Sequence, residues 1–546
     1  MTHAFHGSAI CIILLLKRCR AGIFFLSSQV RLNDKITMKK FISFCSVFVV
    51  FTSFARHTDT PAGSTAATSK NNAAIAEGKD QRLRAQLRET SKTVNVKSFG
   101  AEGDGTTNDL GAIQKAISAV SQSGGGIVHF PKGIYAINSS INIPSGIHLQ
   151  GEGPTSEIRC TGSGIYPALK NQDFANGNND ITITNLTVNG YRAERGLGED
   201  AGSHGIRIQS DDAHRCNRLI VKNVWVKNMP CAGMMFFNVK DVIVSNNKVS
   251  DTMRDGISTW CNSENVTYSN NLIWDVRDDC YGINSEVTGH SGTVSKQISI
   301  TGGQLSHAND SHYGAGVRVA GAWDVKVRDV VISNTQGHGI LVEGAFLTGN
   351  ASKRVTISGC VVSAAGFNAS VGGHGIAVAN AVDCNIVSNV IQGYQLNGIN
   401  ISNLGKHVNI TGNTVLGGVN NNGAGVNIDG ENNLISKNTI LLTKSYGIKV
   451  NGPSNTITGN DLNECSTATP GNAYILVSAG KSYNNIASNK IRRITSSYGT
   501  YGIRIAKGSG VGNSINANQL KGFEAGNGVS SGSSMDNPTS KNLDVP

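Results

Sequence analysis

The chain has 546 residues, 65 of them glycine and only 16% charged. Its formal net charge of +11 is concentrated at the start: residues 1–55 carry seven Lys/Arg against one Asp, and residues 56–92 seven against four. The remaining body is close to neutral, so no nucleic-acid partner is expected, and an acidic polymer is neither demanded nor excluded as a substrate.

In chain order, the first recognisable element is "MKKFISFCSVFVVFTSFA", residues 38–55. A Lys39-Lys40 pair, an apolar run too short to span a bilayer and a small-residue ending give it the layout of a secretory signal peptide. Residues 1–37 then precede the true start. Their apolar stretches at 10–16 and 22–30 are short for membrane spans and are separated by Lys17, Arg18 and Arg20. Residues 56–92, rich in Ala, Ser and Thr with a basic patch, read as a linker. The body from 93 to 546 is expected to be exported, with no membrane insertion once the leader is removed. It retains eight of the eleven cysteines, whose spacing fits no zinc pattern, and buried unpaired thiols are expected.

Next comes "NDLGAIQKAISAVSQSGGG", residues 108–126, with a capping Asn or Asp, apolar residues at helical spacing and a glycine stop. A repeat follows. Gly-Ile/Val-x-Ile/Val recurs at Gly205, Gly233, Gly256, Gly282, Gly316, Gly339, Gly375, Gly398, Gly425, Gly447 and Gly502. The intervals up to Gly447 are 22 to 36 residues, and the final 55 holds two turns. Between these glycines lie segments such as "VIVSNNKVSD" and "VNITGNTVLG", in which β-branched alternation says strand and Asn-Asn or Gly-Asn says sharp bend. A unit this short cannot bury its own inner face, so it must stack on its neighbours, about 4.8 Å per turn. The prediction is an all-β chain: a single right-handed parallel β-helix, with residues 108–126 as an N-terminal capping helix and corner asparagines stacked between turns. A leucine-rich repeat would need a Leu ladder that is missing.

The stretch "VNVKSFGAEGDGTTNDLGAIQKAISAVSQSGGGIVHFPKGIYAINSSINIPSGIHLQGEG", residues 94–153, resembles the opening of the pectate-lyase superfamily. That superfamily includes polygalacturonases, rhamnogalacturonases, mannuronan C5-epimerases and phage tailspike depolymerases. It implies a carbohydrate polymer as partner, not a particular mechanism. "RDDCYGINSE" resembles the Gly-Asp-Asp-Cys segment of polygalacturonase-type glycoside hydrolases, and "MRDGIST", one turn earlier, their Asn-Thr-Asp-Gly segment. The resemblance places Asp255, Asp278 and Asp279 on three catalytic aspartates of an inverting hydrolase. Physical reasoning leads the same way: Asp255 and Asp279 occupy the same point of consecutive turns, backbones about 5 Å apart. Splayed side chains are expected to reach the roughly 6.5–9.5 Å that leaves room for a water, with one pKa raised toward that of a general acid.

The resemblance then weakens. Where the family has Gly-His-Gly on the next turn, this chain has Ala315, with His312 three residues earlier, and its Gly-His-Gly, centred on His338, comes one turn late. Arg318 offers a guanidinium in place of the family's Arg-Ile-Lys. Substrate-binding roles are assigned to His312, Arg318, His338, Trp260 and Tyr281. The four tryptophans, Trp225, Trp260, Trp274 and Trp323, all fall on turns flanking the aspartates, where they either face sugar rings or fill gaps in the stack. Glu286 and Glu343 are expected to be solvated charges. Three functions compete: a hydrolase of an acidic or complex polysaccharide; a lyase or C5-epimerase on uronate polymers, disfavoured by the absence of an Asp-Pro-His segment; and a glycan-binding β-helix whose aspartates hold calcium. The hydrolase requires no cofactor, and the oligomeric state is open.

Overall fold

A computed structural model describes residues 92–545, apart from 288, 309–313, 367–372, 420–421, 469–471, 496–498, 509, 525, 532–538 and 541. The leader, nearly all of the linker and His312 lie outside the described residues. The chain winds into a right-handed parallel β-helix. Three strands per turn feed three parallel sheets, the third of which has 15 strands among the described residues. The turns that matter most run Val239–Ser245, Lys248–Thr252 and Ile257–Trp260, then Glu264–Ser269, Leu272–Val276 and Tyr281–Asn284. In-register pairing sets Ile257 beside Tyr281 and Tyr281 beside Val317, each pointing inward.

One apolar core runs the length of the solenoid, built from alternating Ile, Val and Leu. This is the arrangement expected when each strand has one face toward the interior and the other toward solvent. The predicted helix spans Leu110–Ser121, and its buried residues Ile113, Ala116, Ile117 and Val120 pack on the first strands of all three sheets. Asn108 Oδ1 accepts the N–H of Leu110 at 3.3 Å, while Asp109 makes no capping bond to the helix. Instead Asp109 accepts the N–H groups of Glu102 and Gly103, at 2.7 and 3.1 Å, and so anchors the preceding loop.

The Asn-Asn and Gly-Asn pairs divide their work between the two residues. The first takes the left-handed conformation that the corner needs, as at Asn246, Asn270 and Gly412. The second turns its amide inward: Asn438 Nδ2 donates to Asn460 Oδ1 and to Ile410 O, both at 2.9 Å, and Asn460 repeats this with Asn489. This ladder continues from Asn389 through Asn413 to Asn518 and Asn542. The stacked corner amides are therefore as expected, and so are the eight cysteines from Cys160 to Cys465, all buried and unpaired. No helix among the described residues is long and apolar enough to cross a membrane.

Candidate active site

The corner between the second and third sheets carries the carboxylates. On one turn the second-sheet strand ends at Thr252 and the third-sheet strand begins at Ile257; on the next these points are Val276 and Tyr281. Gly233 N donates to Asp255 O and Gly256 N to Asp279 O, at 3.0 and 2.8 Å, so the two aspartates are stacked one turn apart. Asp278 joins them from the same corner. One oxygen from each of the three lies within 4.8 Å of the others. A Cβ on Gly282 would stand 3.1 Å from Asp255 Oδ2, so this glycine leaves the space in which that carboxylate lies.

Asp255 and Asp279 are only 7% and 4% exposed. Burial, with the charge of Asp278, pushes Asp255 up to about 7. Burial and the two neighbouring carboxylates hold Asp279 well above the ordinary carboxylate range. Two guanidiniums offset part of this repulsion. Arg254 stands 3.7 Å from Asp278 and 3.1 Å from Glu199, and Arg318 stands 3.9 Å from Asp279. Asp279 also accepts the N–H of Ala315 at 2.8 Å. Burial and mutual repulsion thus both favour protonation of Asp255 and Asp279 over that of an isolated carboxyl.

The predicted trio is therefore assembled, with two differences. Asp255 and Asp279 are buried in the floor of the wall rather than exposed on it. Their nearest oxygens are also closer than the spacing expected for inversion, because consecutive turns hold the backbones at strand separation and the arginines draw the charges together. The same three oxygens are the one group of His, Cys, Asp or Glu atoms among the described residues close enough to hold a metal ion.

Other predicted residues fare unevenly. Arg318 reaches Asp279 and is clamped by Glu343 through Nε and Nη2, at 2.6 and 2.5 Å. Glu343 is thus a positioning residue that charge counting missed. Arg254 was also passed over, although it adjoins Asp255 in the sequence. Trp260 lies on the outer face of the third sheet, in register with Phe237 and Asn284. Tyr281 corrects the expectation: it is 1% exposed, its ring packs 5.1 Å from Tyr268, and its hydroxyl accepts from Asn271. Strand alternation turns it inward because the residue before it already occupies the corner. His338 lies two turns beyond Asp279, its ring stacked on His374 at 5.2 Å rather than touching the trio.

The tryptophans do not converge. Trp225 and Trp274 pair at 6.4 Å on the second sheet, and Trp323 sits on the first under Lys353. Glu286 is buried and fastens a loop by accepting from Gly292 N at 2.8 Å and from Thr348 Oγ1. On the second-sheet side of the corner, Arg192, Asp251, Asp275, Arg277 and Gln336 line a neighbouring cleft.

Residues 93–166 match the family of rhamnogalacturonase A/epimerase, pectate-lyase-like proteins, and residues 283–491 match the periplasmic copper-binding protein family NosD. The aspartate trio lies outside the NosD stretch. The pre-neck appendage protein of Bacillus phage B103 is 28% identical over 229 residues, covering 38% of this chain and 26% of that protein. Mannuronan C5-epimerase AlgE1 of Azotobacter vinelandii is 25% identical over 192 residues, covering 32% of this chain and 14% of the epimerase. Alginate lyase 7 of the same organism is 36% identical over 106 residues, covering 18% and 12%. The chain thus spans about a quarter or less of these relatives' length. Among solved structures, the pre-mature bacteriophage phi29 gene product 12 superposes with a TM-score of 0.56 at 16% identity, covering 85% of this chain and 59% of that one, which shows a shared fold. The chain is a parallel β-helix protein of the pectate-lyase superfamily.

Proposed function

We propose that this chain is an exported enzyme that cuts an acidic polysaccharide by hydrolysis, with Asp255, Asp278 and Asp279 as its acid and base. The observation that carries this reading is the clustering of three carboxyls from consecutive turns, with oxygens within 4.8 Å of one another, two of them buried and raised in pKa. Such a cluster holds a proton and a negative charge side by side, which is what general acid and base catalysis of glycoside cleavage needs. A protonated carboxyl delivers its proton to the departing glycosidic oxygen as the bond to the anomeric carbon breaks. An ionised one takes a proton from the water whose oxygen bonds to that carbon. The sum is one water added and the cluster's proton count restored. Inversion further requires that the side chains open by about 2 Å around sugar and water, since their nearest oxygens now fall short of the usual spacing.

Arg318 and Arg254 border the cluster and suit a uronate carboxylate, which favours an acidic polymer over a neutral one. Trp260, on the same face, is assigned to a sugar ring. Export rests on the leader-like residues 38–55.

A second reading, uronan lyase or C5-epimerase, draws support from the mannuronan epimerase and alginate lyase among the relatives and from the same arginines. It would use one carboxylate to remove the proton at C5 while a guanidinium holds the uronate. The discriminating experiment incubates the protein with pectic, alginate and bacterial exopolysaccharide substrates and scores both new reducing ends and ultraviolet-absorbing unsaturated uronate. Reducing ends without absorbance fit hydrolysis. Absorbing product fits the lyase, and altered C5 configuration without cleavage the epimerase. Retention of polymer without any chemistry leaves a glycan-binding rod.

A further inference from the structure

The residue before each repeat glycine forms a column along the solenoid, and beyond the aspartates that column has its own hydrogen-bond rule. From Asp279 to Asn397, each polar side chain in it accepts the N–H of the same position one turn on. Asp279 Oδ1 accepts from Ala315 at 2.8 Å, and Asn397 Oδ1 accepts from Ala424 at 2.8 Å. Between them, His338 Nδ1 accepts from His374 N and His374 Nδ1 accepts from Asn397 N, both at 3.1 Å.

That rule fixes two tautomers. A neutral imidazole whose Nδ1 accepts must carry its hydrogen on Nε2. Both rings are neutral: burial holds His338 down to about 4, and burial with the neighbouring ring holds His374 down to about 3. The rings lie parallel within 5°, 5.2 Å apart, and both residues are half-buried. No hydrogen bond to either Nε2 is found among the described residues, and neither residue is fully buried. A donor that is fixed in direction and without a partner among the described residues is a group suited to an acceptor from outside. Two of them, one turn apart, match the advance of an extended glycan by one sugar.

We propose that His338 and His374 are consecutive sugar subsites, each donating Nε2–H to a hydroxyl or carboxylate oxygen of a uronate chain. The chain then runs along the helix axis from the aspartates toward the C-terminal turns. The sugar over Ala315 meets no polar side chain of the column. This rests on reading the aspartates as the reactive centre, because that reading sets where the chain begins.

The test measures binding by titration calorimetry of oligogalacturonate and oligomannuronate ladders, disaccharide upward, in an Asp279→Asn background that keeps the Ala315 hydrogen bond. His338→Asn and His374→Asn retain the Nδ1-type acceptor, as Asn397 already does in the same column, and withdraw the outer donor; unchanged melting confirms the fold. Affinity in the parent should rise with chain length. Each histidine substitution should weaken the longer oligomers by about three- to tenfold, the effect of one hydrogen bond, and leave the disaccharide unaffected. Equal weakening at every length, or an unaltered length dependence, overturns the proposal. Binding of neither ladder overturns both it and the acidic-polymer reading. The expected binding pattern without any turnover by the unsubstituted protein would refute the catalytic reading and leave the subsites standing.

Discussion

The turns between 239 and 345 and those between 376 and 521 are built on the same three sheets, yet they differ in how their corners are filled. In the later turns, strands are mostly three residues long, and the buried asparagine ladder runs unbroken from Asn389 to Asn542. In the earlier turns the same ladder has only Asn247 and Asn271 before Gly303, Val330 and Cys360 interrupt it. The other corner diverges in parallel. Asn397 and Asp279 occupy equivalent slots and make the same 2.8 Å bond to the next turn's N–H. A neutral amide therefore meets the structural need, and the buried charge at Asp279, with Asp255 and Asp278 beside it, is surplus to the fold. Burying carboxylates costs stability unless they are paired or protonated. The difference separates a regular half that holds the solenoid together from an irregular half to which the proposed chemistry is assigned.

That separation can be broken most sharply at the shared slot. Asp279→Asn should preserve the Ala315 bond and the melting temperature while lowering kcat about 10³-fold, the usual scale of a lost general acid or base. In the regular half the signs reverse. Asn460→Ala strips Asn438 N–H, Asn438 Nδ2 and Ile435 O of their partner and should cost about 3 kcal/mol in denaturant unfolding, with kcat unchanged.

A pH series sharpens the comparison further. Asp255 titrates near 7 when folded against an ordinary value of 3.8, so the folded state binds the extra proton between those limits. Stability from this group is therefore present at low pH and lost as pH rises through about 7. Melting temperature should fall over that window, and Asp255→Asn should flatten the slope; a series that rises instead would refute the assignment. The smallest effect is expected at Trp260, where Trp260→Ala should raise KM about three- to tenfold with kcat little changed.

The sequence displayed the solenoid because its repeat imposes both glycine spacing and corner residues, and each copy repeats the message. It displayed the aspartates because they fall at one phase of that repeat. What it hid depended on side-chain direction. Tyr281 sits next to the cluster in the chain, but strand alternation sends it into the core. Trp225, Trp274 and Trp323 lie on or near the turns of the aspartates but point from other sheets. Glu343 lies far from Asp279 in sequence and is tied to it only through Arg318. His338 was legible only as part of a Gly-His-Gly segment, and the sequence could not show that its Nδ1 accepts the N–H of His374 on the next turn.

The central claim is that the irregular half keeps a proton among three clustered carboxyls. A carbon-13 titration of the aspartate carboxyls, compared between the unsubstituted protein and Asp255→Asn, measures this without any substrate. The account predicts a carboxyl that stays protonated until about pH 7 and is missing from the variant. Every aspartate ionising in the ordinary range near 3.8 would contradict it.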